Sequence, residues 1–188
     1  MKKRTMALLA AMLMIVGVMI GSTLAWLTAK TDSVVNTFTP SNIDITLAET
    51  PDVVYKMVPG STIDKDPIVT VLRGSEKCYL FVKLDKSANF DRYMTYDMAE
   101  GWTVVESNGN TTVYGRIVDK SETVDQVFHV LLNDKVSVNT GVTKDDMDAL
   151  KDRKQYPTLT ITAYASQYNK NDSQTFDYAK AWENAPKN

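Results

Sequence analysis

The chain is poor in the residues that carry most protein chemistry. Its 188 residues hold one cysteine, one histidine, six prolines and eight glycines. With Cys78 alone, no internal disulfide can form, so the fold stands on its core or is cross-linked between chains. Cys78 opens the apolar stretch CYLFVKL and reads as a buried structural thiol. His129 lies inside VFHVLL, where a strand histidine is ordinarily structural. No His-Glu-x-x-His stretch exists, which removes the usual zinc-protease site. Ser75 lacks a Gly-x-Ser-x-Gly setting, and a Ser-His-Asp triad would have to enlist His129 without local support. Glycine-rich phosphate loops are missing. Asp64-Lys65-Asp66 and Asp145-Asp146-x-Asp148 offer carboxylates to calcium, but neither has the spacing of a dedicated loop, and both read as solvated acidic turns. No cofactor, metal site or catalytic set is expected.

An excess of one charge is also lacking, with 21 basic and 23 acidic residues. The first 25 residues hold three of the bases and none of the acids, so the remaining 163 carry a net charge of −5. A mildly acidic chain with scattered charge does not suit nucleic acid or an anionic membrane surface. Its length fits one domain with a sizeable core.

The N-terminus is the one strongly patterned region. Lys2, Lys3 and Arg4 precede a 15-residue apolar or small-residue run, Met6 to Ile20. Gly21 and Ser22 can break a helix, and Thr23-Leu24-Ala25 puts small side chains at the −3 and −1 positions of a cut between Ala25 and Trp26. This is the order of a secretory signal peptide. An uncleaved anchor is the second reading. The charge-free window Thr5–Ala29 could cross a hydrocarbon core of about 30 Å, but its dense apolar part falls short of the ~20 residues a span needs. Positive charge before the run and acids after it put the bulk of the chain outside in both cases. Cleavage is the reading carried forward: a signal peptide over 1–25, an extended segment over 26–40 and a β-sandwich domain over 41–188.

The remainder is a series of short strands. Ile43–Leu47 alternates, Ile68–Leu72 is β-branched, and Cys78–Leu84 is apolar on both faces, as a central strand is. Val58-Pro59-Gly60 and Arg73–Glu76 are turn signals. Trp102–Ser107 and Asn110–Val118 flank Asn108-Gly109, whose tolerance of positive φ predicts a tight type I′ hairpin. Gln126–Leu132, Lys135–Val138 and Thr158–Tyr164 complete the strands. The aromatic residues are spread among them and read as core and cross-strand packing rather than a carbohydrate platform. A helix is expected over Thr143–Arg153, capped by Thr143 with an acidic first turn and basic end. A second is expected within Gln174–Ala185, its faces set by Phe176, Ala179 and Trp182 or Glu183. The pattern predicts an all-β chain: an antiparallel sandwich or jelly roll with one or two short helical insertions.

Gly21-Ser-Thr-Leu-Ala-Trp-Leu-Thr-Ala-Lys-Thr-Asp-Ser-Val-Val-Asn-Thr-Phe38, followed by Ser41-Asn-Ile-Asp-Ile-Thr-Leu47, resembles the N-terminus of the TasA/camelysin (CalY) family of exported bacterial proteins. Pro40-Ser41-Asn42 stands where many members carry a glycine turn. Lys56–Gly60, Lys65–Val71 and Gly74–Lys83 are similar to the family's next segment, and Leu159–Ala165 with Ala181-Trp182-Glu183 to its closing strand and tail. The likeness covers the leader and about half of the mature chain.

The resemblance implies a jelly-roll sandwich, a leader removed by a SipW-type signal peptidase, and a secreted subunit of extracellular-matrix or cell-surface fibres. In such fibres the freed N-terminal segment of one subunit adds as a strand to the next. Here Leu27, Val34, Val35 and Phe38 are the possible anchors of that strand. An extended segment can pair with a sheet edge and seat alternate side chains in a groove, and a head-to-tail contact that does not close gives a filament. The expected partners are other copies of the chain and the peptidase, with the membrane touched only through an uncleaved leader. Two alternatives stay open: a surface metallopeptidase, through camelysin, and a monomeric adhesin held by an uncleaved anchor. No sortase-type signal is evident, so covalent wall attachment is not expected.

Overall fold

A computed structural model describes residues 42–50 and 56–187, together with Lys3 and Met6, whose backbone is helical. The chain divides into two units, Met1–Thr39 and Pro40–Asn188, and the second carries the strands. Ala25, Trp26, Leu27, Val34, Val35 and Phe38 lie outside the described residues.

The second unit is built mainly of antiparallel strands. They are β1 (Ile45–Ala48), β2 (Thr62–Asp64), β3 (Ile68–Val71), β4 (Cys78–Lys86), β5 (Met94–Met98), β6 (Thr103–Asn108), β7 (Thr111–Val118), β8 (Gln126–His129), β9 (Leu131–Val138), β10 (Leu159–Gln167), β11 (Asn169–Asn171) and β12 (Gln174–Thr175). Helices α1 (Phe90–Tyr93), α2 (Lys144–Ala149) and α3 (Tyr178–Asn184) and a 3-10 turn, Arg153–Gln155, connect them. One sheet has the order β10-β4-β7-β6, and two three-stranded sheets run β1-β3-β8 and β2-β9-β5. The last two share their chain: β2 leads into β3 and β8 into β9, with β3 paired to β8 and β2 to β9.

The strand pattern of β4 dictates the layers. Side chains alternate across a strand. Cys78, Leu80, Val82 and Leu84 face one way and pack with Ile63, Val69, Val71, Leu131, Val136 and Val138 of the two smaller sheets. Tyr79 and Phe81 face the other way and pack under α3, against Ala181, Trp182 and Ala185. This is why β4 is apolar on both faces. Leu80, Val82 and Leu84 are fully buried, each contributing about 1.5–3 kcal/mol relative to exposure.

Several boundaries differ from the sequence reading. The β6–β7 loop is Gly109-Asn110, because Asn108 pairs with Thr111. Gly109 has φ +58 and Asn110 is not among the residues with positive φ, the φ pattern of a type II′ turn with glycine at its first central position. The predicted strand Gln126–Leu132 breaks at Val130, where the chain passes from one sheet to the next. Its continuation runs through Asn133 and Asp134 at φ 55 and 56, values these two residue types tolerate. Leu131 pairs with Met98 and Val136 with Tyr96, so residues 132–135 bulge opposite Asp97. The helix at Thr143 forms with the predicted cap, Asp146 completing a capping box, but stops at Ala149. There Asp152 caps a new turn, and the Gln155 side chain accepts from the N–H groups of Lys151 and Asp152. The C-terminal helix starts at Tyr178, capped by Asp177, since Gln174–Thr175 is strand. Its buried side is Ala181 and Trp182, with Ala179 exposed.

Candidate functional site

The apolar lining of the two layers is open to solvent beside β2. A groove of about 400 Å³ opens between β2 and the start of β10. Met57, Ile63, Phe90, Met94, Val136 and Leu159 give it an apolar floor, and Glu49, Thr50, Lys65, Arg153 and Tyr156 form its rim. β2 and β10 each end the order of their sheet, so each has a side that pairs with no described strand. Unpaired N–H and C=O groups beside an apolar groove are what an added strand requires.

The rim is fixed by charge. Lys65 pairs with Glu49. Asp66 accepts from the backbone N–H and hydroxyl of Thr50 at 3.0 and 2.7 Å, and those bonds, backbone first, hold its carboxyl below the usual carboxylate range. Arg153 makes no ion pair among the described residues.

The chain enters this unit away from the groove. Asn42 accepts from the Glu76 N–H at 3.0 Å and Asp44 from Leu72 at 2.9 Å, while the Ser75 hydroxyl accepts from the Asp44 N–H at 3.1 Å. Asn42 and Thr50 therefore lie beyond the two ends of β1, whose four residues span roughly 13 Å at ~3.3 Å each. Asn42 lies at one end of β1, and the groove, lined by Glu49 and Thr50, lies at the other.

The other residues singled out in the sequence do not converge. Ser75 is buried and occupied as a clamp on β1. His129 Nδ1 lies 2.8 Å from Asp134 Oδ1, on the bulge, and its carbonyl accepts from the Trp102 indole at 2.9 Å. Cys78 is fully buried, which pushes its thiol up to about 11. Asp64 pairs with Lys135, Asp148 with Lys144, and Asp146 with Arg92 and the Thr143 cap. The Thr143 backbone bond, then Arg92, lowers Asp146 to about 2. Among the described residues no three His, Cys, Asp or Glu side chains gather as a metal site, and no helix is long and apolar enough to cross a membrane.

The aromatic residues pack as expected: Tyr79, Phe81, Tyr164, Tyr168 and Tyr178 surround Trp182 or one another at centroid distances of 4.9–6.1 Å. The sequence reading missed the groove because its lining comes from six separate segments, none with a local signature. Compared with protein-family models, curated proteins and solved structures, the chain has no match.

Proposed function

We propose that the chain is an exported structural protein that assembles head to tail, outside the cell, by strand addition. The leader over 1–25 is removed between Ala25 and Trp26 by a SipW-type peptidase. The freed segment, carrying Leu27, Val34, Val35 and Phe38, enters the groove of the next copy and pairs with the free side of β2 or β10. The finer fold is a TasA-like jelly roll, and the product is a fibre of the extracellular matrix or cell surface.

The observation that supports this reading is the placement of groove and chain entry at opposite ends of β1. A donor leaving one end and an acceptor at the other repeat without closing, which favours a filament over a closed dimer. Val34 and Phe38 fall on the same side of an extended segment, suited to an apolar floor. While the leader is attached, the donor is held at the membrane, so processing acts as the switch.

A charge in the groove tests the proposal. Met57→Glu, at a half-buried position, places a carboxylate on the apolar floor. Chains starting at Trp26 with this change are expected to remain folded monomers by sedimentation and circular dichroism. Polymers equal to those of the unaltered chain would rule out this groove as the acceptor.

A further inference from the structure

β10 is a long open edge. It ends the order of its four-stranded sheet, and its nine residues, LTITAYASQ, pair with β4 without a shift of register. At the two ends of that ladder the Ser87 N–H donates to the Thr158 carbonyl and the Tyr168 N–H to the Lys77 carbonyl. Backbone direction alternates along an antiparallel strand, so the even-numbered residues turn their groups to β4. Leu159, Ile161, Ala163 and Ala165 turn theirs away, and none of these groups bonds to a described residue. All four residues are half-buried. β1, the neighbour of β10 in the facing layer, pairs only with β3.

Exposed edges ordinarily carry a device against further pairing: a charge, a proline, a bulge or a short strand. The other edges of this fold do. β6 has Glu106 beside a bulge at Val105, and β5 has Asp97 at a break in its pairing with β9. β1, β2 and β8 are four, three and four residues long. β10 has no charge, no proline and no bulge.

We propose that β10 is a self-association edge: β10 of a second copy adds to it antiparallel about a two-fold axis, and the two four-stranded sheets become one of eight strands. Among the described residues only β10 itself offers a matching row of outward-turned groups. An uncharged strand facing its own copy meets no like-charge repulsion. The row Leu159, Ile161, Ala163, Ala165 is centred on Thr162. Full use of it pairs Leu159 with Ala165 and Ile161 with Ala163 of the copy, and sets the two Thr162 residues opposite each other on the axis, an isologous contact. A strand of nine residues, about 30 Å long in a layer ~10 Å thick, covers about 300 Å² on each copy, well short of the ~800 Å² per partner of a stable interface. The contact is therefore weak between single copies. It does not depend on the N-terminal segment and leaves β2 as the strand open to that segment. Repeated along a fibre, it would join fibres side by side.

The test uses chain 36–188, which holds the whole of the second unit, at millimolar concentration in an oxidising glutathione buffer. Thr162→Cys and Thr160→Cys are compared singly, and disulfide-linked dimers are followed by non-reducing electrophoresis. Opposed residues of a non-hydrogen-bonded pair lie about 4.5 Å apart at Cα, within reach of a disulfide, whereas the two Thr160 positions lie ~13 Å apart along the ladder. Cys78 is fully buried and takes no part. Thr160 is the more exposed position, so random collision would favour Thr160→Cys. Dimers are expected to form about tenfold or more faster with Thr162→Cys. Ala163→Pro added to Thr162→Cys removes an outward N–H and no bond to β4. With circular dichroism confirming the fold, it should bring the rate down to that of Thr160→Cys. Equal rates for the two cysteines, a faster Thr160→Cys, or a rate unchanged by Ala163→Pro would overturn the proposal.

Discussion

Thr50 donates both its backbone N–H and its hydroxyl to the two oxygens of the Asp66 carboxylate, at 3.0 and 2.7 Å. The two residues are 16 apart in sequence, and the pair ties one lip of the groove to the loop between β2 and β3. The bonds favour the ionised form and lower the Asp66 pKa. The stabilisation is therefore complete above the unfolded value of about 3.9 and is lost as pH falls through the lower folded value. Asp66→Ala should lower Tm at pH 7 and make Tm fall less steeply between pH 4 and pH 2, about the range in which the folded and unfolded carboxylates differ. An unchanged acid limb would show that Asp66 gains nothing from Thr50.

Gly115 is needed for the contact between sheet and helix. A Cβ on it would stand 2.9 Å from the Tyr178 ring, 2.9 Å from Val105 and 3.0 Å from the Phe81 ring. Gly115→Ala should destabilise by about 1–3 kcal/mol, as overpacking does, with the loss visible in urea unfolding. A neutral result would mean that α3 sits further from β7 than these distances place it.

Trp182 joins α3 to the far edge strand. It is buried under Phe81 and Tyr164 and donates to the Glu106 carboxylate at 2.7 Å. Trp182→Ala should cost roughly 3–5 kcal/mol. Trp182→Phe, which keeps most of the packing and loses the bond, should cost less. Equal costs would show that the hydrogen bond carries most of the effect.

Cys78 should be inert in the folded chain. Burial raises its thiol from 9.0 to about 11, which alone reduces the thiolate near neutral pH roughly a hundredfold. Iodoacetamide should label it readily in denaturant and negligibly without it. Rapid native labelling would reopen the cross-linking of chains through this residue.

The β content was legible because each strand carries a local signal: alternation in Ile43–Leu47, β-branched residues in Ile68–Leu72 and apolarity on both faces in Cys78–Leu84. The double-sided apolarity of CYLFVKL signalled a central strand before any partner was known, and the structure supplies the partners: sheets on one face and α3 on the other. The N-cap at Thr143 was legible because a cap is local. The break at Val130 was not, because an apolar run gives no sign of where a strand changes sheets. The hairpin was placed one residue early, since Asn-Gly and Gly-Asn both satisfy the turn and pairing decides between them. The groove arises only when distant segments meet, so no stretch of sequence announced it.

The central claim is that the segment after the leader joins one copy to the next, and deletion of 26–35 tests it most directly. Chains 26–188 and 36–188 should be compared by analytical ultracentrifugation at matched concentration, with circular dichroism confirming that both are folded. The account predicts polydisperse polymers for 26–188 and a folded monomer for 36–188. Polymers formed equally by both chains, or a monomer in both cases, would contradict it.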